Sequence, residues 1–405
     1  QINVKISRSI YIFDDAILEH LPKDDARVTF IYESLSKINE KLAEFGSSLL
    51  VKKGKTQDVW QQLITEFEVK VLFFNKDYEP YAINRDQHIT ELLAQNDVKV
   101  QAFKDQVIFE EAEITKADGL PYTVYTPYKN KWLEKYKTIA PVTEHETTVF
   151  SENWLASSFV FPSLSAIGFE TSSIKVKPHN LTKIANYHET RDFPALDTTS
   201  YLSPHLRFGT VSVRKLVNWA ARKNDVFLSE LIWREFFMQI LYHFPKVVQH
   251  NFKSAYDGIQ WRHDEADFQR WCSGTTGYPM VDAGMRELNA TGYMHNRVRM
   301  VVASFLCKHL LLPWQWGEAY FAQKLLDYDL SANVGNWQWA AGTGCDAAPY
   351  FRVFNPDIQL QKFDAKGHYI RKWIPEFDLG YGAPMVEHAM ARDRAIATYK
   401  AGILK

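Results

Sequence analysis

Apolar residues in the first 110 positions come in short runs, separated by stretches whose apolar positions recur every three or four residues. RSIYIFDD reads as a buried strand, and Arg27–Phe45 as an amphipathic helix stopped at Gly46. SLLVKKG is a second strand, Thr56 is placed to cap the helix in DVWQQLITEFE, and KVLFFN is the next strand. A helix over about Asn84–Asn96 and a strand in VKVQAF complete the series. Alternation of this kind predicts a parallel sheet with helices on both faces. No glycine-rich phosphate turn follows any of these strands, so the sheet alone does not announce a dinucleotide site. QINV also has strand character, yet it runs into the next strand without the dozen residues a crossover needs. Either a first unit lies outside this sequence, which is the reading preferred, or the topology is unusual.

Between Glu111 and Pro178 the periodicity weakens while Pro and Thr accumulate, as in DGLPYTVYTPYKNKW and TIAPVTEHETTVF. This predicts a long connector across the surface, since unstructured lengths beyond about fifteen residues mark function or linkage. After Leu181 the pattern is helical throughout, ending in HAMARDRAIATYKAGILK. The expected organisation is an α/β domain over 1–112, a connector over 113–180 and an all-helical domain over 181–405.

Composition adds a little. The chain of 405 residues has a net charge of -1, and 46% of its residues are hydrophobic, as in ordinary globular proteins. Residues 181–405 hold 26 Lys+Arg against 22 Asp+Glu, a net of plus four, which leaves minus five for 1–180. A mildly basic half can touch nucleic acid through a local patch, but the excess does not prove it. The three cysteines, Cys272, Cys307 and Cys345, have no metal-ligand spacing, which predicts a reduced, cytoplasmic setting. The longest apolar run, VVASFLCKHLLLPW, is broken by Lys308 and His309, which argues against a membrane span.

Four stretches carry candidate chemistry. The densest is DYDLSANVGNWQWAAGTGCDAAPYFRVFNP, which sets Asp327, Asp329, Asn333, Asn336, Trp337 and Trp339 within thirteen positions. Carboxylates and amides of this kind need partners when buried, and two tryptophans one residue apart do not suit a bare surface loop. A flat, polar-edged, aromatic cofactor fits against such a segment; a polar helix junction in a large core is the alternative. In YHETRDFPALDTTSYLSPHLRFGT, Thr199, Ser200 and Ser203 offer hydroxyls and N–H groups ahead of a helix, suited to phosphate or to plain capping. In ELIWREFF, Glu230 and Trp233 share a helix face and suit a planar, carbonyl-bearing ligand or an ordinary core edge. In MHNRVRMVVASF, Asn296 and Met300 share a face with Arg299 nearby, and Arg297 is turned away, suited to a phosphate outside the pocket. Arginines on an apolar helix need partners, and Asp327 is one candidate.

Taken together, NKDYEPYAINRD, LPYTVYTPYKNKW, TSYLSPHLRFG, ELIWREFF, TGYPMVDAGMREL and GYMHNRVRMVVASFL resemble the photolyase/cryptochrome family over essentially the whole chain. Among its branches the chain is most similar to bacterial class I cyclobutane pyrimidine dimer photolyases. The resemblance implies a Rossmann-like α/β domain of the antenna type with a parallel sheet, a connector, and an all-α domain holding U-shaped FAD. Tyr187, Thr199, Ser200, Tyr201, Leu202 and Ser203 match flavin phosphate and ribityl contacts. Arg191 and Arg299 match arginines that pair with Asp327. Asp327 and Asp329 match flavin contacts, and Asn333 matches the residue facing flavin N5. Asparagine there goes, within the family, with a stable, fully reduced flavin.

On the substrate side, Glu230, Trp233, Asn296, Arg297, Met300 and Trp339 match the pyrimidine-dimer pocket, with Trp233 and Arg297 also contacting DNA. Six-four photolyases and animal cryptochromes carry histidine in place of Asn296, and the DASH type does not keep Trp233 and Trp339 together. Trp337, Trp314 and Trp261 match the three-tryptophan electron chain. Two departures stand out. The FRRDLR-type segment after the first strand is absent, and the lysine of folate-antenna photolyases is missing near Gln249, although Glu110 is present. The resemblance therefore implies light-driven repair of UV-damaged DNA by a monomeric carbon–carbon lyase, nucleoid-associated when bound. A second antenna chromophore (folate, deazaflavin or flavin) goes with it. The rival implication is a light-sensing cryptochrome without repair activity. Against that rival stand the full pocket set and a chain that stops at Lys405 without a disordered tail. A flavin enzyme unrelated to DNA is a third reading.

Overall fold

The computed structural model of the chain describes residues 7–145 and 153–403, so the expectation for QINV lies outside the described residues. The first elements are β1 (Ile10–Asp14), α1 (Asp15–Leu18), α2 (Ala26–Ala43), β2 (Leu50–Gly54), α3 (Thr56–Glu66), β3 (Val71–Asn75), α4 (Pro80–Ala94) and β4 (Lys99–Phe103). Pairing is parallel, as the alternation predicts. It forms two two-stranded ladders, β1 with β2 and β3 with β4, among the described residues. Side chains alternate across β1. Tyr11 and Phe13 pack with Val28, Leu35 and Leu42 of α2, whereas Ile10 and Ile12 pack with Val59, Trp60 and Leu63 of α3 and Ile89 and Leu93 of α4. Period-two strands between helices of period 3.6 thus bury both faces.

Two expectations shift here. Thr56 is the first helical residue rather than the cap: Lys55 precedes α3 without a side-chain cap bond, and the Thr56 hydroxyl donates to Asp14 at 2.8 Å. Helix α4 begins at Pro80, earlier than the apolar spacing indicates. Proline suits that first position because its missing N–H has no partner there anyway.

The remaining helices are α5 (Tyr125–Ile139), α6 (Tyr187–Thr190), α7 (Ser203–Arg207), α8 (Val213–Lys223), α9 (Asp225–His243), α10 (Glu265–Ser273), α11 (Pro279–Thr291), α12 (Asn296–Ser304), α13 (Trp314–Lys324), α14 (Leu330–Ala341), α15 (Pro356–Phe363), α16 (His368–Trp373) and α17 (His388–Gly402). The chain forms two compact units. One holds the stretch up to Ile108 with Val142–Lys177 and Phe208–Lys215; the other holds Phe109–Pro141, Pro178–Arg207 and Leu216 onward.

The segment 113–180 is therefore shared between the units, which differs from a connector lying across the surface. Tyr125, Tyr128, Trp132 and Tyr136 of α5 are buried, and α5 packs on α9. Glu235 of α9 accepts hydrogen bonds from Trp132 Nε1 at 2.7 Å, the Phe109 N–H at 3.1 Å and the Tyr128 hydroxyl at 3.3 Å. Pro127 does not interrupt α5, because it lies in the first turn, where no backbone donor is lost.

Candidate functional site

Helix α14 is the centre of the helical unit and packs against α9, α12 and α13. It begins at Asp329, whose carboxylate accepts from the Ala332 N–H at 2.9 Å and from the Ser331 hydroxyl. Burial disfavours that charge, but the guanidinium groups of Arg207 and Arg234 outweigh it and hold the carboxyl below its usual range. Arg207 lies 3.7 Å from Asp329. The helix stops at Gly342, which adopts the left-handed conformation that glycine takes at helix ends (φ 85°). Gly335 and Gly317 mark close approaches. A Cβ on Gly335 would lie 2.2 Å from the Phe237 ring of α9, and one on Gly317 would lie 2.1 Å from Trp337.

Beside α14 lies a hollow that, with the solvent space at its mouth included, holds about 600 Å³ of empty space. Its walls combine polar groups (Asn296, Arg299, Asp327, Asp329, Asn333, Asn336) with Met300, Phe321, Tyr328, Trp337 and Trp339. Arg299 donates to both oxygens of Asp327, at 2.9 and 3.1 Å, and to the Met294 carbonyl at 2.8 Å. The arginine is thereby fixed, and the aspartate's charge is compensated. Asn333 is buried, and its side-chain nitrogen donates to two oxygens of Glu318 on α13, the backbone carbonyl at 3.1 Å and Oε1 at 2.9 Å. Nine of the residues singled out in the sequence thus share one hollow: Asn296, Arg299, Met300, Asp327, Asp329, Asn333, Asn336, Trp337 and Trp339.

Other candidates lie outside this lining. Arg191 pairs with Glu230 (2.5 Å) instead of Asp327, and stands over the Tyr187 ring at 5.2 Å. The expectation that both arginines meet Asp327 therefore holds for Arg299 alone; Arg191, one residue beyond α6, meets the carboxylate that α9 presents to it. Trp233 stacks on Tyr125 of α5, with centroids 3.6 Å apart and planes 8° apart, and the Tyr125 hydroxyl donates to the Ser229 carbonyl at 2.7 Å. Arg297 pairs with Asp192 at 2.7 Å and lies 4.3 Å from the Phe363 ring. The stretch Thr199–Ser203 turns back on itself. Ser200 Oγ accepts from the Leu202 N–H at 3.3 Å, Tyr201 has φ 54° and donates to Asp197, and Ser203 opens α7. Arg207 at the end of α7 ties this turn to Asp329, and the Tyr201 ring packs on Tyr293 (5.2 Å).

Two of the three tryptophans, Trp337 and Trp314, are fully buried, and Trp261 is partly exposed. Trp337 borders the hollow, Trp314 is fully buried with its indole N–H donating to Asn251 at 3.0 Å, and Trp261 is half-buried against Tyr399 (5.6 Å). Trp314 begins α13, and Gly317 one turn later receives the Trp337 ring. Residues that the sequence did not single out also matter: Phe321 and Tyr328 in the lining, Glu318 behind Asn333, and Tyr125 under Trp233. His295, the cap of α12, accepts from the Arg297 N–H, and burial lowers its pKa to about 4, so it stays neutral. Only Tyr125 carried a signal, the spacing of aromatics along YTPYKNKWLEKY.

A family model described as the FAD binding domain of DNA photolyase matches residues 227–379, and one described as DNA photolyase matches 7–147. A deoxyribodipyrimidine photo-lyase of Halobacterium salinarum is 35% identical over 97% of this chain and 91% of that protein. Among solved structures, a class III photolyase from Agrobacterium tumefaciens superposes with a TM-score of 0.86 at 33% identity, covering 98% of this chain and 92% of its own. An archaeal photolyase from Sulfolobus tokodaii, solved with two FAD molecules, gives 0.83 at 32% identity, covering 98% and 94%.

Proposed function

The chain belongs to the DNA photolyase family, and we propose that it repairs cyclobutane pyrimidine dimers in UV-damaged DNA by light-driven electron transfer. The observation that carries the reading is the hollow beside α14, which Arg299–Asp327 and Asn333 line together with Trp337, Trp339 and Met300. Polar groups at the edge and aromatic rings on the wall are the donor set that a flat ring system with polar edges requires, so these residues fit FAD. Bound FAD, when reduced, supplies the excited electron that opens the two cyclobutane bonds and then returns.

The chain's own residues do the rest. Arg299, Asp327, Asp329 and Asn333 hold the cofactor's polar edge, and Tyr187, Arg191 and the Thr199–Ser203 turn with Tyr201 hold its remaining length. Asn296 donates its side-chain N–H to a dimer carbonyl, Glu230 accepts from a ring N–H of the dimer, and both stabilise charge where it develops, while Trp233, Trp339 and Met300 enclose the dimer and exclude water. Arg191 holds Oε1 of Glu230 and leaves its second oxygen as the acceptor, and Tyr125 keeps Trp233 aligned. Arg297 neutralises a phosphate, a salt-dependent contact indifferent to sequence. The dimer is extruded from the duplex at reduced cost, because it stacks poorly; photolyases as a class are a known case of such base flipping. Trp337, Trp314 and Trp261 pass electrons inward to the cofactor. A second chromophore (folate, deazaflavin or flavin) in the α/β unit, a monomeric state, and a cytoplasmic, nucleoid-associated location belong to the same proposal.

The test illuminates reduced, purified protein with an oligonucleotide carrying one thymine dimer and follows the return of absorbance in the thymine band. Recovery under light alone supports repair. No recovery from the illuminated, reduced protein, with light reducing the flavin of a separate oxidised sample, would assign the chain to light sensing, and equal affinity for irradiated and intact DNA would remove DNA from the account.

A further inference from the structure

We propose that Glu318 is a positioning residue: it locks the Asn333 carboxamide so that only its oxygen is offered to the hollow. A carboxamide has two N–H donors and one carbonyl acceptor. Both donors point to α13, where one acceptor is the backbone carbonyl of Glu318 at 3.1 Å and the other its Oε1 at 2.9 Å. A flipped amide would set its oxygen against that backbone carbonyl, which accepts and never donates, so the orientation is fixed by chemistry. What remains for the hollow, which Asn333 lines, is the oxygen.

The lock is itself supported. Glu318 is half-buried on α13, burial raises its carboxyl above the usual range, and Tyr328, another lining residue, hydrogen-bonds to it. A carboxyl accepts through its carbonyl oxygen whether or not it is protonated, so the lock persists through its titration. The site therefore offers an acceptor, suited to a cofactor edge that carries an N–H and unsuited to one presenting a bare ring nitrogen. This last step, unlike the lock, rests on the FAD reading.

Two readouts separate the lock from that reading. With asparagine labelled by ¹⁵N, the side-chain N–H pair of Asn333 is identified by its loss in Asn333→Asp, and hydrogen exchange is measured with or without cofactor. In Glu318→Leu, with Glu318→Ala made in parallel to guard against misfolding, the proton bonded to Oε1 should exchange about tenfold faster, the ratio for one hydrogen bond of about 1.4 kcal/mol. Glu318→Gln, whose side-chain oxygen still accepts, should restore protection. In the loaded protein, dark reoxidation of the reduced cofactor should quicken about threefold in Glu318→Leu and return to the wild-type rate in Glu318→Gln, with cofactor content equal in all. Unchanged exchange in the leucine and alanine variants would overturn the lock, as would a glutamine variant that behaves like leucine. Faster exchange with unaltered reoxidation would overturn its reach to the cofactor. Protein that takes up no FAD sinks the FAD reading, while the exchange data still decide the lock.

Discussion

A single methyl group placed between α13 and α14 tests how tightly the hollow's aromatic wall is built. In Gly317→Ala the new Cβ would lie 2.1 Å and 2.5 Å from Cη2 and Cζ3 of Trp337 and 2.6 Å from Leu306 Cδ2. Carbon atoms in ordinary contact stand about 3.5–4.0 Å apart, so the ring has to move by more than ~1 Å. It has little room: Trp337 is 2% exposed, with Phe321 at 5.0 Å and Trp271 at 6.1 Å around it. Overpacking of a closed core costs about 1–3 kcal/mol, and the upper end applies where the neighbours are themselves large buried rings. At about 2–4 °C per kcal/mol for a unit of this size, the melting temperature should fall by about 6–12 °C. Gly382→Ala is the matched control, since nothing lies within 4 Å of its added Cβ, and it should change stability by less than about 0.5 kcal/mol. Thermal melts followed by circular dichroism compare the three proteins. A Gly317→Ala variant melting together with wild type would refute the packing argument.

Three further outcomes follow from the same geometry. Trp337→Phe should block photoreduction of oxidised FAD while sparing repair by pre-reduced protein; transient absorption under blue light reads this, and photoreduction at the original rate would dismiss the tryptophan chain. Glu230→Ala leaves Arg191 without its 2.5 Å partner and should lower repair yield with DNA affinity only modestly changed; an unaltered yield strikes Glu230 from the pocket. Lys308 is 1% exposed, donates to the Ala341 carbonyl at the end of α14 at 2.6 Å, and is pushed down by burial to a pKa of about 7. Between about pH 7 and the ordinary lysine value the unfolded chain binds the extra proton, so stability should rise with pH there, by at most ~1.4 kcal/mol per unit. Urea titrations at several pH values should show this rise in wild type and not in Lys308→Met, and parallel profiles would contradict it.

What the sequence disclosed and what it withheld divide along a physical line. Tyr11 and Phe13 against Ile10 and Ile12 declare a strand with two buried faces, because the information lies in a period of two along one segment. Asp329, Asn333 and Trp337 likewise fall in one stretch that became one capped helix, and its side chains reach one hollow. Helix α5 was hidden by Pro127 and its threonines, although its buried aromatics keep a helical spacing. The partners were not legible at all. Nothing local tells Arg191 to choose Glu230 over Asp327, Trp233 to rest on Tyr125, or Glu318 to hold Asn333, since each pairing joins separate elements. A motif fixes which side chains enter a site, but their orientation and charge state come from groups behind them, so the substitutions most informative about this site are at those supporting positions. Arg191 shows why: by occupying Oε1 of Glu230 it fixes the carboxylate and its charge and leaves the second oxygen as the acceptor that Glu230 can offer a dimer.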